Sequence, residues 1–374
     1  MEGKVQVLTL GGVPIYVHAS WLLVYALITW SLAVGYFPQA LPDLPPLAYW
    51  ANGLLAALLL FVSVLLHELS HALVARAHGL RVNGITLHVF GGVSQLEDEP
   101  PTPRAEFLIA IVGPLTSFAI ATLLWGTTAA GLVPVGWPRA TVGYLTLVNV
   151  SVGVFNLIPG FPLDGGRLLR AALWKWQGAL GRATRIASRV GVGFAVALMA
   201  FGVVQILTGA VVSGFWMILL GLFLRSAADT SAAQTTLHEA LDALPVRDVM
   251  TRDVISIGPD ATVAQLVDRF WAHHVTSFPV VDNGTVHGIA SLHQLRQVPR
   301  ERWPDMRVRE LMRPLDAELV IRSGDSVFEA LDKASRNSLG RLAVLDGSRL
   351  VGYVSLKDIT HVLALRGGPV ERAA

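Results

Sequence analysis

His67, Glu68 and His71 fall within one turn of an almost uncharged stretch that runs from Leu54 to Ala75. Residues four apart share a helix face, so both imidazoles can converge on one Zn²⁺ while Glu68 stands beside it as a base for water. The stretch is long enough to cross a bilayer as a helix. Three ionisable groups at that depth are costly without a metal or a partner, so the pattern points to a zinc site inside a membrane. A structural polar cluster between helices is the alternative. The chain contains no Cys, so zinc must be held by His and carboxylate.

The carboxylate is expected at Asp164. Between Phe155 and Arg167 two prolines and three glycines preclude a regular helix, so a span ending here must unwind. Unwound backbone at membrane depth usually lines a polar site. Asp164 is the sole carboxylate of that segment and the natural third ligand, leaving the fourth position to water. A turn aspartate before Gly165-Gly166 is the plainer explanation.

Stepping outward, 374 residues with 53% apolar content exceed one soluble core. Residues 1–225 hold nearly all the long apolar runs, which predicts a membrane domain. Residues 226–244 read as a linker and 245–366 as a soluble domain in two halves, 245–304 and 305–366, with a tail at 367–374. Six spans are expected, near 19–36, 53–77, 107–129, 140–159, 186–207 and a short 210–224. Arg76, Arg81 and Arg104 flank one connection, and Arg167, Arg170, Lys175, Arg182, Arg185 and Arg189 fill another. The opposite loops offer only Arg139, so both termini and the soluble part are assigned to the cytoplasm of a plasma-membrane protein. Glu68 then lies on the order of 14 Å from the Arg76 end at ~1.5 Å per residue, and water reaches it most directly from the cytoplasmic side. The start of the chain shows no cleavable-signal pattern. With net charge +2 and its cations at the ends of apolar runs, the chain calls for a lipid bilayer and no nucleic acid.

Ile85 to Leu96 alternates around Gly91-Gly92, the signature of a β-hairpin. Its edge could accept an extended peptide by strand addition. A hairpin that merely caps the domain explains the pattern equally. The soluble part is an internal duplication: Val246-Arg247-Asp248-Val249-Met250 returns as Val308-Arg309-Glu310-Leu311-Met312, and Gly288-Ile289-Ala290-Ser291-Leu292 as Gly352-Tyr353-Val354-Ser355-Leu356. Each copy reads strand, helix, strand, strand, short helix. Neither is large enough for a good core alone, so the two should pack together.

The His-Glu-Leu-Ser-His motif at 67–71, joined to Asn156-Leu157-Ile158-Pro159-Gly160-Phe161-Pro162-Leu163-Asp164-Gly165-Gly166, resembles the site-2 proteases, intramembrane zinc metalloproteases. The resemblance is to the branch with a C-terminal pair of CBS domains. It implies a membrane α-helical fold of about six helices with a membrane-associated β-hairpin, followed by a soluble α/β CBS pair. By the same resemblance His67, His71 and Asp164 would bind one zinc ion and Glu68 would be the general base. Asn156 and the Gly91-Gly92 hairpin would hold the backbone of a membrane-anchored protein substrate. Gly113-Pro114 matches a family feature read here as packing. The CBS signature for adenine nucleotide (ATP, ADP or AMP) is complete at Gly352-Tyr353-Val354-Ser355-Leu356-Lys357-Asp358, which nominates Ser355 and Asp358. The first copy has Gln294 in place of the Asp. A helix cap explains Ser355 and Asp358 almost as well. Homodimerisation through the CBS pair is a further implication. The rival to a nucleotide-tuned protease is a CBS-regulated channel or transporter whose intramembrane charges line a pathway.

Overall fold

The computed structural model describes residues 4–88, 91–96, 99–347 and 349–366. They form two units, Met1–Thr235 and Thr236–Ala374.

The first unit opens with strands β1 (Lys4–Leu10) and β2 (Val13–His18), paired antiparallel. Helices α1 (Ser20–Ser31) and α2 (Phe37–Ala40) follow, joined by a π-helical turn at Leu32–Tyr36. The 32-residue α3 (Pro46–Ala77) carries His67, Glu68 and His71. Strands β3 (Val82–His88) and β4 (Gly91–Leu96) then join β1 and β2 in one sheet of order β1-β2-β3-β4. The parallel β2–β3 pairing was not anticipated, since it joins segments separated by two helical regions. Val13 and Ile85 pack with Ala72 and the half-buried Leu65 and Leu69, which seats the sheet on the length of α3 that bears the histidines. The expected hairpin is present, but Gly91 and Gly92 open β4, opposite His88 and Leu87, instead of forming the turn. Residues 89–90 lie outside the described residues.

Helix α4 (Pro103–Ala129) starts cleanly: Thr102 accepts from the Ala105 N–H and Pro103 sits at the first helical position, where no donor is needed. Helix α5 (Trp137–Asn156) stops at the predicted break. Residues 157–163 are irregular, and α6 (Asp164–Gln177) begins on Asp164 itself. Gly165 and Gly166 make this possible, because a Cβ on either would run into the backbone of Leu157 or of Gly160 and Phe161. Helices α7 (Leu180–Leu207) and α8 (Val211–Asp242) are joined by a short turn with Gly209 at positive φ.

Among the described residues, five helical segments are long and apolar enough to cross a membrane: Ser20–Ala40, α3, α4, α7 and α8. The expected fourth span corresponds to α5, whose 20 residues reach ~30 Å but include Arg139, Asn149 and Asn156 and are less apolar. The expected short sixth span and the linker after it are one helix through Asp242. Helix α6 occupies what the sequence presents as a cation-rich loop. The structure corrects that for Arg170, which is buried.

In the second unit α9 (Val263–His273), β5 (Ser277–Asp282), β6 (Thr285–Ser291) and α10 (Leu292–Leu295) form the first repeat. Helix α11 (Val308–Leu311), β7 (Arg313–Pro314), β8 (Val320–Arg322), α12 (Val327–Arg336), β9 (Arg341–Asp346), β10 (Arg349–Ser355) and α13 (Leu356–Arg366) follow. One six-stranded sheet runs β5-β6-β10-β9-β8, with β7 on β6. The two cores are interleaved: Val246 at the head of the first repeat packs with Ile321, Val327, Leu342 and Val354 of the second. Val308 and Leu311, at the head of the second, pack with Val263, Leu266, Phe278 and Val280 of the first. Backbone bonds from Val246 to Asp325 and from Val308 to Ala261 fix the exchange. Each repeat is too small to close its own core, and borrowing the partner's leading segment supplies the missing wall.

Candidate metal centre

His67 and His71 lie one turn apart on α3 and both are buried, and Asp164 meets them from the first position of α6. Nε2 of His67 and Nε2 of His71 are each 3.2 Å from Asp164 Oδ2. The three donor atoms lie within 4.8 Å of one another, and this is the metal-competent cluster found among the described residues. Ligands at Zn–N and Zn–O distances near 2.0–2.1 Å in a tetrahedron stand about 3.3 Å apart, so the two 3.2 Å separations match those expected between zinc ligands.

The ring nitrogens pointing away from this focus are engaged. His71 Nδ1 is 2.5 Å from the Ile109 carbonyl, which can only accept, so Nδ1 carries a proton and Nε2 is the nitrogen turned toward the cluster. His67 Nδ1 is 2.9 Å from Ser117 Oγ. Both partners are on α4, and between them lies Gly113, where a Cβ would sit 2.6 Å from His67 Nε2 and closer still to His71 Nε2. Gly113 therefore leaves the space in which the imidazoles meet, a more specific role than the packing expected of it. Asn149 of α5 is buried and donates to Ser63 Oγ, one turn before His67, bracing α3 from the other side.

The cluster opens into a cavity of about 1080 Å³ lined by Glu68, Asn156 and Arg167 and by apolar side chains such as Leu27 and Phe155. Glu68 is half-buried beside the two histidines, and Asn156 is the last residue of α5. His88, paired with Gly91, also lines the cavity, which brings the end of the hairpin where β3 passes into β4 to the site. Ser355 and Asp358 belong to the other unit. There Asp358 Oδ2 accepts from the Ser355 N–H and hydroxyl, at 2.9 and 2.6 Å, and Ser355 Oγ accepts from the Asp358 N–H, a reciprocal cap at the start of α13. Ser291 and Gln294 make the corresponding contacts at α10, so the Gln preserves the cap where the Asp is missing.

Sequence reasoning missed Glu106, Ile109, Ser117, Asn149 and Arg170. A signal existed in Glu106, an acid at the mouth of an apolar span. Ile109 acts through its carbonyl, which no side-chain pattern reveals.

The chain is similar in sequence to known proteins. Residues 55–136 and 128–198 match the model of peptidase family M50, and residues 246–301 and 308–365 match the CBS domain. "Putative zinc metalloprotease sll0528" of Synechocystis is 33% identical over 374 residues, 97% of this chain and 96% of that one. "Putative zinc metalloprotease Rip3" of Mycobacterium tuberculosis is 34% identical over 369 residues, 97% and 93% of the two chains. The solved site-2 protease from Methanocaldococcus jannaschii is 31% identical and covers 61% of this chain and 95% of its own, with a TM-score of 0.44. The chain belongs to peptidase family M50, the site-2 proteases, as a zinc intramembrane protease with two CBS domains. The channel or transporter alternative is thereby set aside.

Proposed function

We propose that this protease cleaves a transmembrane or membrane-associated protein at the 67–71/164 site, in regulated intramembrane proteolysis, under control of adenine nucleotide at the CBS pair. The reading rests chiefly on one observation: a donor set of two imidazoles and a carboxylate facing a largely apolar cavity that also holds Glu68. His67, His71 and Asp164 hold the metal. Zinc, when bound there, supplies a Lewis acid that polarises a peptide carbonyl and acidifies water. Glu68 takes the proton from the attacking water and delivers it to the departing amide nitrogen. Asn156 donates its side-chain N–H to a substrate carbonyl, holding the scissile bond in place.

A substrate helix hides its amides and must unwind before attack. Strand β4, at the end of the sheet, offers it a hydrogen-bonding edge beginning at Gly91 and Gly92. Both termini and the CBS pair lie in the cytoplasm of a plasma-membrane protein, with nucleotide at Ser355 and Asp358 of the second repeat and two copies associating through their CBS units. Cleavage of a single-span substrate in proteoliposomes tests the reading. Activity should vanish with a chelator, return with zinc, and change on addition of ATP or AMP. Activity indifferent to chelation contradicts the zinc site, and nucleotide that neither binds nor alters cleavage removes the sensor role.

A further inference from the structure

Glu106 is fully buried in the first turn of α4, and Arg170 of α6 is buried against it. Arg170 Nε donates to Glu106 Oε1 at 2.6 Å and Nη2 makes a second contact to the same oxygen. The guanidinium also lies 5.1 Å from the centre of the Phe161 ring, in the irregular segment before α6. One arginine thus ties together α4, α6 and the unwound stretch between α5 and α6.

The placement along both helices is informative. On α4, Glu106, Ile109, Gly113 and Ser117 recur at spacings of three, four and four and so form one stripe. Ile109 and Ser117 orient the two histidines, and Gly113 gives them room. On α6, Arg170 lies six residues, ~9 Å, beyond Asp164. The same face of α4 therefore reaches the histidines through Ile109 and Ser117 and the helix of Asp164 through Glu106. As a source of stability the pair is poorly made, because Glu106 Oε2 is buried with no hydrogen-bond partner among the described residues. Such pairs are often matched by apolar residues of similar volume, which directs attention to what this one fixes in space.

We propose that Glu106 and Arg170 are positioning residues: their clasp sets the height and rotation of α6 so that the Asp164 carboxylate meets the two imidazoles at metal-ligand distance. The inference rests on His67, His71 and Asp164 being the zinc ligands. The test uses the full-length protein in detergent, with zinc affinity and the ligand-field spectrum of the Co²⁺ form as readouts beside thermal stability. Glu106→Gln should weaken zinc 10- to 100-fold and move the cobalt spectrum toward that of Asp164→Ala. Arg170→Lys keeps the charge but loses the fork, and should fall between Glu106→Gln and wild type. The double variant Glu106→Leu/Arg170→Met removes the buried charges, so it should fold with near wild-type stability yet still bind zinc weakly. Wild-type zinc affinity and cobalt spectrum in the double variant, or in a folded Glu106→Gln, overturn the proposal. Failure of the wild-type protein to bind zinc stoichiometrically would instead count against the ligand set.

Discussion

Replacing Gly113 by Ala adds one methyl group at the point where the two imidazoles face each other. The new carbon would stand 2.6 Å from His67 Nε2 and closer to His71 Nε2, about 1 Å inside ordinary contact. The rings cannot simply back away, because their Nδ1 atoms are held by Ser117 and Ile109 on the same helix as the new methyl. Metal sites tolerate displacements of about 0.2 Å, several-fold less than the overlap demands. Zinc affinity should therefore fall at least ~100-fold, or about 2.7 kcal/mol, with cleavage lost in parallel. Gly126→Ala, near the end of the same helix, is the control: a Cβ there meets nothing within 4 Å. Removing a helical glycine should leave stability unchanged or raise it by up to ~1 kcal/mol. Metal titration of both variants by competition with a chromophoric chelator reads the difference. Wild-type zinc affinity in Gly113→Ala would refute the placement of the histidines around Gly113.

Three further outcomes follow from the CBS unit. Val246→Ala should cost about 1–2 kcal/mol and raise amide exchange in β8, β9 and β10 more than in β5 and β6, while Val308→Ala does the reverse; equal effects would deny the interleaved cores. Burial pushes the Tyr353 hydroxyl up to about 12, against the opposing effects of its hydrogen bond to Ser277 and of Arg341. The raised value means the neutral phenol is favoured in the fold, so its contribution is intact below about pH 10 and is lost as pH rises toward 12, by up to ~2.7 kcal/mol. Denaturant unfolding of wild type and Tyr353→Phe across pH 9–12 should show a steeper decline for wild type, and parallel curves would contradict this. Asp358→Ala should cost about 1 kcal/mol of CBS stability through the lost cap and, on the nucleotide reading, weaken AMP binding at the second repeat; calorimetry on the full chain separates the two effects.

The candidate ligands were legible because their signal is local and chemically costly. His67, Glu68 and His71 share one turn in lipid-like surroundings, and the Pro-Gly run before Asp164 announces broken helix. The break was placed well, since α5 ends at Asn156 and α6 starts at Asp164. What holds these residues was not legible. Ile109 contributes a backbone atom, Gly113 an absence of side chain, and Glu106 a pairing with Arg170 across 64 positions of sequence. Arg170 misled because an arginine after a span resembles an orienting loop charge, and only its packing under α4 reveals a buried ion pair. In the CBS unit the repeats were visible as sequence copies. Their exchange of leading segments was not, because Val246 and Val308 are apolar heads of their own repeats whichever core they enter.

The most direct measurement is zinc content and cleavage of a membrane-embedded substrate on the same preparation of Glu68→Gln. Glu68 lines the cavity without belonging to the donor cluster, so the account predicts one zinc per chain, as in wild type, and cleavage reduced below detection. Wild-type cleavage by Glu68→Gln with its zinc in place would contradict the mechanism.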